Sequence, residues 1–174
     1  MAAGSAVALA GCSSSPSTGS TTTTAIPITA STMTWSPAGT WGTEPMVIVP
    51  TGAPPTQLLS KDLILGTGAS AQDGDSLTVQ YVGYSWTHKA EFDASWSRGQ
   101  PFTFTIGVRQ VIPGWDQGII GMKVGGRREL VIPPSLAYGA QSPSPAIAAN
   151  DTLIFVVDLL GVSSSSGSST STTS

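Results

Sequence analysis

Cysteine and histidine, the side chains that most often act as nucleophiles or metal ligands, each occur once in this chain, as Cys12 and His88. One imidazole cannot assemble a multi-histidine metal site, and one thiol cannot form an intramolecular disulfide or hold a zinc or iron–sulfur centre. No partner acid or thiol stands at a spacing that would activate His88 for catalysis. We therefore expect no metal site, and we expect His88 to be a solvated loop residue.

The other side chains that could form a site are aromatic or acidic. Taken singly, Phe102 and Phe155 belong more often to a core than to a cleft. Trp115, at the start of a glycine-flanked helix, fits either place, and Asp93 after Phe92 could be only a turn residue. These residues indicate a function only when their order along the chain is considered.

Composition restricts the classes of partner. The chain has 174 residues, a net charge of -3 and only 10% charged residues, so neither a basic patch for nucleic acid nor a strongly acidic surface is available. We expect no nucleic-acid partner. No apolar run reaches the roughly 18 residues that a membrane-spanning helix needs, so any membrane contact must be an anchor.

Period-two alternation of apolar and polar residues predicts a mostly antiparallel sheet. The predicted strands are Leu58 to Leu65, Asp75 to Trp86, Phe102 to Ile106, Arg128 to Ile132, and Leu153 to Leu160. Glycine-rich turns separate these runs.

One short helix is predicted between Pro113 and Met122, because Trp115, Ile119 and Met122 lie at i, i+4 and i+7 and proline suits a first helical turn. Glycines such as Gly118 weaken the helix, so it should persist only by packing on the sheet. A sheet with one helix gives an α+β fold.

The first segment, residues 1–12, is small and apolar and ends in Leu9-Ala10-Gly11-Cys12. It resembles a bacterial lipobox, and in lipoprotein families the cysteine after the cleaved signal carries the lipid. Signal peptides begin with a basic region, whereas the first basic residue here is Lys61. Either the true start lies upstream or the signal is not functional.

Low-complexity sequence surrounds the predicted domain. Ten of the twelve residues from Ser13 to Thr24 and eleven of the twelve from Ser163 to Ser174 are Ser or Thr, a composition that cannot bury a core. Residues Ala25 to Gln57, which we call the arm, are rich in Pro and Thr without clear periodicity. We expect a disordered tether and arm over residues 13–44, a folded domain over 45–162, and a disordered tail over 163–174.

The segments of the folded domain follow one another in an order typical of one family. They are Gln80 to Gly83, Glu91 to Ser95, Arg98 to Phe104, Gly107, Gln110 to Gly118, Met122 to Leu130, Ile132 to Pro134, Leu136 to Ala140, and the closing strand Asn150 to Val162. Together they resemble the FKBP class of peptidyl-prolyl cis/trans isomerases from about Leu58 to Val162. The lipobox-like cysteine and the tethers suggest an exported, actinobacterial member.

The resemblance implies a half-barrel of antiparallel strands wrapped around the short helix, with an apolar pocket between them. Trp115 would form the floor of the pocket under the substrate proline ring. Its walls would be Tyr81, Phe92, Phe102, Val111, Ile112 and Phe155.

The resemblance also implies polar roles. Asp93 would hold a polar edge of the pocket, oriented by Tyr81 and Arg98. The Ile112 backbone N–H and the Tyr138 hydroxyl would donate hydrogen bonds to substrate or macrolide carbonyls.

Departures from the family pattern lie at the rim of the pocket. Ala94 stands where a serine is common, and the loop from Gln141 to Ala149 has small residues where bulkier ones are frequent. Ile147 remains in that loop to touch a ligand. These departures bear on substrate preference and macrolide affinity more than on the reaction.

The implied reaction needs no cofactor. Rotation about a peptide bond faces a barrier of about 18 to 20 kcal/mol, and the two isomers of an X-Pro bond differ by only about 0.5 to 1 kcal/mol. The twisted transition state is less polar than the planar ground state, so an apolar aromatic pocket favours it.

The resemblance implies a monomeric enzyme with proline-containing polypeptides as clients and macrolides such as rapamycin or tacrolimus as possible inhibitors. We expect it to be exported and bound to the cell membrane or envelope by lipid on Cys12. Two alternatives stay open: an FKBP-like binding module without useful turnover, and a chaperone of the cell envelope.

Overall fold

Six antiparallel strands and two short helices make up the computed structural model, which describes residues 26–164. The strands are β1 Leu59–Ile64, β2 Ser76–Ser85, β3 Ala90–Ala94, β4 Phe102–Thr105, β5 Arg127–Ile132 and β6 Leu153–Ser163. The helices are α1 Ser95–Arg98 and α2 Pro113–Gly118, and a 3-10 turn spans Pro134–Leu136.

The strands form one sheet in the order β1-β5-β6-β2-β3, with β4 beside β2. The long β2 has two partners along the same edge: Ser76 to Val79 pair with β4, and Val82 to Ser85 pair with β3. All of these pairings are antiparallel. The predicted α+β class is confirmed.

One face of the sheet packs on α2, and this is the main core. Leu130 and Ile132 of β5 and the alternate residues Leu153, Phe155, Val157 and Leu159 of β6 contribute to it. Two glycines let the helix approach β5 closely. A Cβ atom on Gly114 would lie 2.3 Å from Ile132, and one on Gly118 would lie 2.7 Å from Leu130.

The helix is shorter than the sequence predicted. It ends at Gly118 with Ile119 as its C-cap, and Gly121 has a positive φ of 80°, which cannot continue a right-handed helix. Ile119 and Met122 are nevertheless fully buried on the side of Trp115, so the predicted apolar spacing identifies the core face. The sequence pattern does not predict β3, α1 or the 3-10 turn, which are all five residues or shorter.

The opposite face of the sheet is covered by the arm. Met33 is buried against Val131 and Ile154, and Trp35, Val47 and Val49 pack around them. Part of residues 26–44, which we expected to be disordered, therefore packs against the sheet through Met33, Trp35 and Ser36, while most other side chains of this stretch are exposed. This packing also explains why β6 is buried on both faces from Leu153 to Leu159.

A buried ion pair joins the arm to the sheet. Arg127 of β5 and Asp158 of β6 are 0% and 1% exposed, and the Arg127 Nε lies 2.5 Å from an Asp158 carboxylate oxygen. The guanidinium also donates to the carbonyls of Ala38 at 2.9 Å and Thr43 at 2.5 Å. The Gly42 N–H donates to Asp158 at 3.2 Å. Every one of these arm contacts is made by backbone atoms.

Glu129 lies beside this pair and is also fully buried. One carboxylate oxygen accepts the Ser36 N–H at 2.7 Å, while the other has no hydrogen-bond partner among the described residues. Burial raises the pKa of Glu129 to about 7, although the hydrogen bonds from Ser36 act in the opposite direction. The carboxyl group therefore titrates near neutral pH in the folded protein.

Some of our predictions concern residues at the two ends of the chain, outside the part that the structure describes. Cys12 and the tether up to residue 25 lie outside the described residues, as does the tail from residue 165. Ser163, the first residue of the predicted tail, is the last residue of β6. Among the described residues, no helix is long and apolar enough to cross a membrane.

Candidate active site

A cleft opens between the sheet and the helix α2, with a volume of about 350 Å³. Its lining is mostly aromatic and aliphatic, and it consists of Tyr81, Phe92, Asp93, Phe102, Gln110, Val111, Ile112, Trp115, Tyr138 and Phe155. This is the size and polarity of a site that binds a small apolar group with a few hydrogen bonds.

Trp115 forms the floor of the cleft. It is 4% exposed and lies in α2, directly after the proline and glycine that begin the helix. Tyr81 and Phe155 each meet its ring edge-to-face with centroids 5.2 Å apart, and Phe104 supports it from the core at 5.4 Å. Edge-to-face contacts fix the orientation of the rings, so the floor is rigid before a ligand enters.

Gly83 of β2 allows two of the wall residues to pack over the sheet. A Cβ atom at this position would lie 2.7 Å from Phe92 and 2.8 Å from Phe155. These two phenylalanines meet edge-to-face at 5.5 Å. Only glycine leaves room for both rings here.

The loop between β4 and α2 supplies Gln110, Val111 and Ile112. Asp116 in the first turn of α2 accepts the N–H groups of Gly107 at 2.8 Å and Arg109 at 3.2 Å. Both of these residues have positive φ. The helix therefore shapes the loop that forms one side of the cleft.

Tyr81, Asp93 and Arg98 form the polar edge of the cleft. The Tyr81 hydroxyl donates to Asp93, Arg98 forms an ion pair with Asp93, and Arg98 also donates to the Tyr81 oxygen at 2.8 Å. Burial, and then the hydrogen bond to Asp93, raise the pKa of Tyr81 to about 12. Its hydrogen bonds to Tyr81 and Asp93 raise the pKa of Arg98. Tyr81 keeps its proton at neutral pH and Asp93 is satisfied by two donors.

Ser95 holds α1 against β2 next to this polar edge. It is fully buried, its hydroxyl accepts the Tyr81 N–H at 2.8 Å, and it donates to the Gln80 side chain. Because Arg98 lies one turn further along α1, Ser95 sets the position from which Arg98 reaches Asp93.

Two hydrogen-bond donors at the cleft are available to a ligand. The Ile112 N–H and the Tyr138 hydroxyl make no hydrogen bond to any residue between 26 and 164. Tyr138 is 38% exposed, and burial followed by the charge of Asp93 raises its pKa. Both groups can therefore donate to a carbonyl oxygen.

The structure brings nine of the eleven residues predicted for the pocket into its lining. Arg98 stands behind Asp93 rather than in the lining, and Ile147, which is 5% exposed and packs in the main core, is not among the residues that line the cleft. Gln110 lines the cleft although it was not among the predicted site residues. Its side chain accepts the Thr105 N–H at 2.8 Å, a contact across a loop that no sequence pattern indicates.

Among the described residues, no group of three or more His, Cys, Asp or Glu side chains could hold a metal ion. The cleft and the fold together define an α+β domain with an aromatic pocket between its sheet and its helix. The family model described as FKBP-type peptidyl-prolyl cis-trans isomerase matches residues 68–160. The chain belongs to this family and is a peptidyl-prolyl cis/trans isomerase.

Relatives agree with this assignment. An FK506-binding protein of Streptomyces anulatus is 52% identical over 120 residues, which are 68% of this chain and 97% of that protein. A probable FK506-binding protein of Corynebacterium glutamicum is 43% identical over 117 residues, which are 67% of this chain and 97% of that protein.

Solved structures show the same fold. The crystal structure of AtFKBP13 has a TM-score of 0.55 and 38% identity, covering 61% of this chain and 93% of that one. The crystal structure of FkpA from Escherichia coli has a TM-score of 0.55 and 41% identity, covering 62% of this chain and 48% of that one.

Proposed function

We propose that the cleft binds the proline ring of an X-Pro segment on Trp115 and accelerates isomerisation by favouring the twisted imide. The observation that carries this proposal is the combination of a buried aromatic floor with two available donors, the Ile112 N–H and the Tyr138 hydroxyl, at its edge. The ring would lie on the floor while the donors hold the neighbouring carbonyls.

The chemistry requires differential binding rather than bond formation. A planar peptide is stabilised by conjugation and charge separation, and water solvates that polarity. An apolar cleft removes this solvation from the planar ground state. The twisted transition state is less polar, so it loses less solvation free energy on entering the cleft, and the barrier to rotation falls. Asp93 contributes through its electrostatic field at the edge of the cleft, since its carboxylate is already bound by Tyr81 and Arg98.

The clients are exported polypeptides in this proposal, and the protein is a monomer attached to the membrane by lipid on Cys12. The sequence Leu9-Ala10-Gly11-Cys12 and the Ser/Thr tether after it support the anchor. Durable attachment needs more than one acyl chain. With the native leader present, Cys12→Ala should release the protein from the membrane fraction, and equal partitioning of both forms would exclude the anchor.

Macrolides of the FK506 and rapamycin type should bind the same cleft. Two relatives are named as FK506-binding proteins, and the apolar lining suits such a ligand. Rapamycin should therefore compete with peptide.

A protease-coupled assay with a proline peptide tests the function, with and without rapamycin. We expect acceleration of cis/trans exchange, greater with an apolar residue before proline, and inhibition by rapamycin. The Trp115 fluorescence should shift when either ligand binds. If the folded protein binds the peptide but does not accelerate cis/trans exchange, it is a binding module. If it neither binds the peptide nor accelerates exchange, the proposal is wrong.

A further inference from the structure

Asp151 lies outside the cleft, at the end of the loop formed by residues 141–149, which we call the rim loop. Its side chain is 3% exposed and each carboxylate oxygen accepts two hydrogen bonds. Oδ1 accepts the N–H of Thr87 at 3.0 Å and its hydroxyl at 2.8 Å. Oδ2 accepts the Ser85 hydroxyl at 2.5 Å and the Ala148 N–H at 3.3 Å. The carboxylate therefore joins the turn between β2 and β3 to the rim loop.

His88 makes a second contact between the same two segments. Its Nδ1 lies 3.0 Å from the Ala146 carbonyl oxygen, and because a carbonyl only accepts, Nδ1 carries the hydrogen. The His88 N–H donates to Ser85 at 2.9 Å. His88 is exposed, as expected of a loop residue, but it also contacts the rim loop.

The two ends of the rim loop meet beside Tyr138. The Gln141 N–H donates to the Tyr138 carbonyl at 3.1 Å, and the Asn150 N–H donates to the Gly139 carbonyl at 2.7 Å. A displacement of the rim loop is therefore transmitted to Tyr138. The Tyr138 hydroxyl has no partner among residues 26–164 that could hold it independently.

We propose that Asp151 is a positioning residue of the isomerase site, which holds the rim loop and, through it, places Tyr138 at the wall of the cleft. The inference rests on the proposed function of the cleft. Asp151 itself does not line the cleft, so it acts only through these contacts.

Asp151→Asn is the sharpest test of the proposal. Each carboxylate oxygen accepts a backbone N–H, from Thr87 or from Ala148. Whichever way the amide turns, its NH2 group faces one of these donors, so one contact is lost at nearly constant volume. Asp75→Ala is the matched control: Asp75 is also buried and accepts the Gln72 N–H at 2.9 Å through one carboxylate oxygen, at the opposite end of β2 from Ser85, and alanine removes this contact.

We expect Asp151→Asn to lower kcat/KM about three- to tenfold, the effect of one or two hydrogen bonds, at a temperature where the protein stays folded. Asp75→Ala should change it less than about twofold while lowering the melting temperature to a comparable extent, because it removes a buried hydrogen bond that has no connection to the rim loop. Equal losses of activity in the two variants would show that Asp151 contributes only stability, and would overturn the proposal.

A double-mutant cycle tests the route through Tyr138. If Asp151 acts by placing the Tyr138 hydroxyl, Asp151→Asn should have little further effect on kcat/KM in a Tyr138→Phe background. Fully additive effects would overturn this route.

Thr87→Val keeps the test decisive if Asp151→Asn does not fold, since Thr87 is exposed and only the hydrogen bond from its hydroxyl to Asp151 is removed. Amide hydrogen exchange at Ile147 and Ala148 should become faster in either variant, together with a loss of kcat/KM. Unchanged exchange and rate would overturn the proposal. A folded wild-type protein without activity would instead refute the proposed function, and exchange in the rim loop would still report whether Asp151 holds it.

Discussion

Tyr81 and Asp93 form a direct hydrogen bond across the edge of the cleft, from the phenol hydroxyl to the carboxylate, and Arg98 contacts both groups. The same tyrosine meets Trp115 edge-to-face on its other side. One side chain therefore connects the polar edge of the cleft to its aromatic floor.

Tyr81→Phe should keep the ring contact with Trp115 and remove one donor from Asp93. We expect kcat/KM to fall about two- to tenfold, because Asp93 is partly solvated and the lost hydrogen bond should contribute only the ordinary value of about 0.5 to 1.5 kcal/mol. The melting temperature should change little. Tyr84→Phe, the same change on the arm side of the same strand, is the control, and equal effects of the two substitutions on kcat/KM would count against a role for the hydroxyl.

Phe92 and Phe104 should respond differently to the same substitution. Phe92 lines the cleft and Phe104 supports Trp115 from the core. Phe92→Leu should lower kcat/KM about threefold to tenfold, the value of one aromatic contact, with a small change in melting temperature. Phe104→Leu should show the larger loss of stability. Steady-state assays and thermal melts check both, and a reversed pattern would mean that the cleft is assigned to the wrong rings.

Glu129 should make stability depend on pH. Its pKa is raised from 4.5 to about 7 in the folded protein, so between these values the folded state holds a proton that the unfolded chain has released. The free energy of unfolding therefore falls as pH rises through this window. Glu129→Gln should remove this dependence and stabilise the protein at about pH 8 by at most about 3 kcal/mol.

Urea unfolding at several pH values checks the Glu129 prediction. Glu44→Gln, at an exposed position of the arm, should leave the slope against pH unchanged. An identical slope in wild type and Glu129→Gln would show that Glu129 is not the group responsible.

Removal of residues 26–44, the first half of the arm, should weaken the domain without abolishing its fold. A chain of residues 45–164 lacks Met33, Trp35 and the backbone acceptors of Arg127. Compared with residues 26–164, it should lose about 2 to 5 kcal/mol of unfolding free energy, the value of one or two buried large apolar side chains. Both chains should melt cooperatively. Equal melting temperatures would mean that the arm contacts contribute nothing to stability.

The order of the motifs was enough to predict the class of fold and most of the residues around the cleft. Alternation placed β2, β4, β5 and β6 within a few residues of their bounds, and the spacing of Trp115 and Ile119 identified the buried side of the helix. These features depend on local periodicity, which a single sequence displays directly.

The arm and the rim contacts could not be predicted in the same way. Arg127 and Glu129 belong to a run of three charged residues, and Asp158 is a single charge in an apolar strand; charged side chains of this kind usually lie on a solvated face. Their burial depends on arm backbone groups at least 84 positions away, as between Thr43 and Arg127, and no side-chain pattern marks those groups. Ile147 was assigned to the ligand by the family resemblance, whereas in the structure it is 5% exposed and is not among the residues that line the cleft.

The arm also bears on the order in which the chain assembles during synthesis. Ser36 contacts a residue 93 positions later and Gly42 one 116 positions later, so the first part of the domain to leave the ribosome finds its partners among the last. Contacts between such distant positions form late, because the chain loses conformational entropy in closing a long loop before the contact contributes any favourable free energy. Until β5 and β6 have emerged, Met33 and Trp35 have no face to cover, and the nascent arm stays open to chaperones and proteases for most of translation.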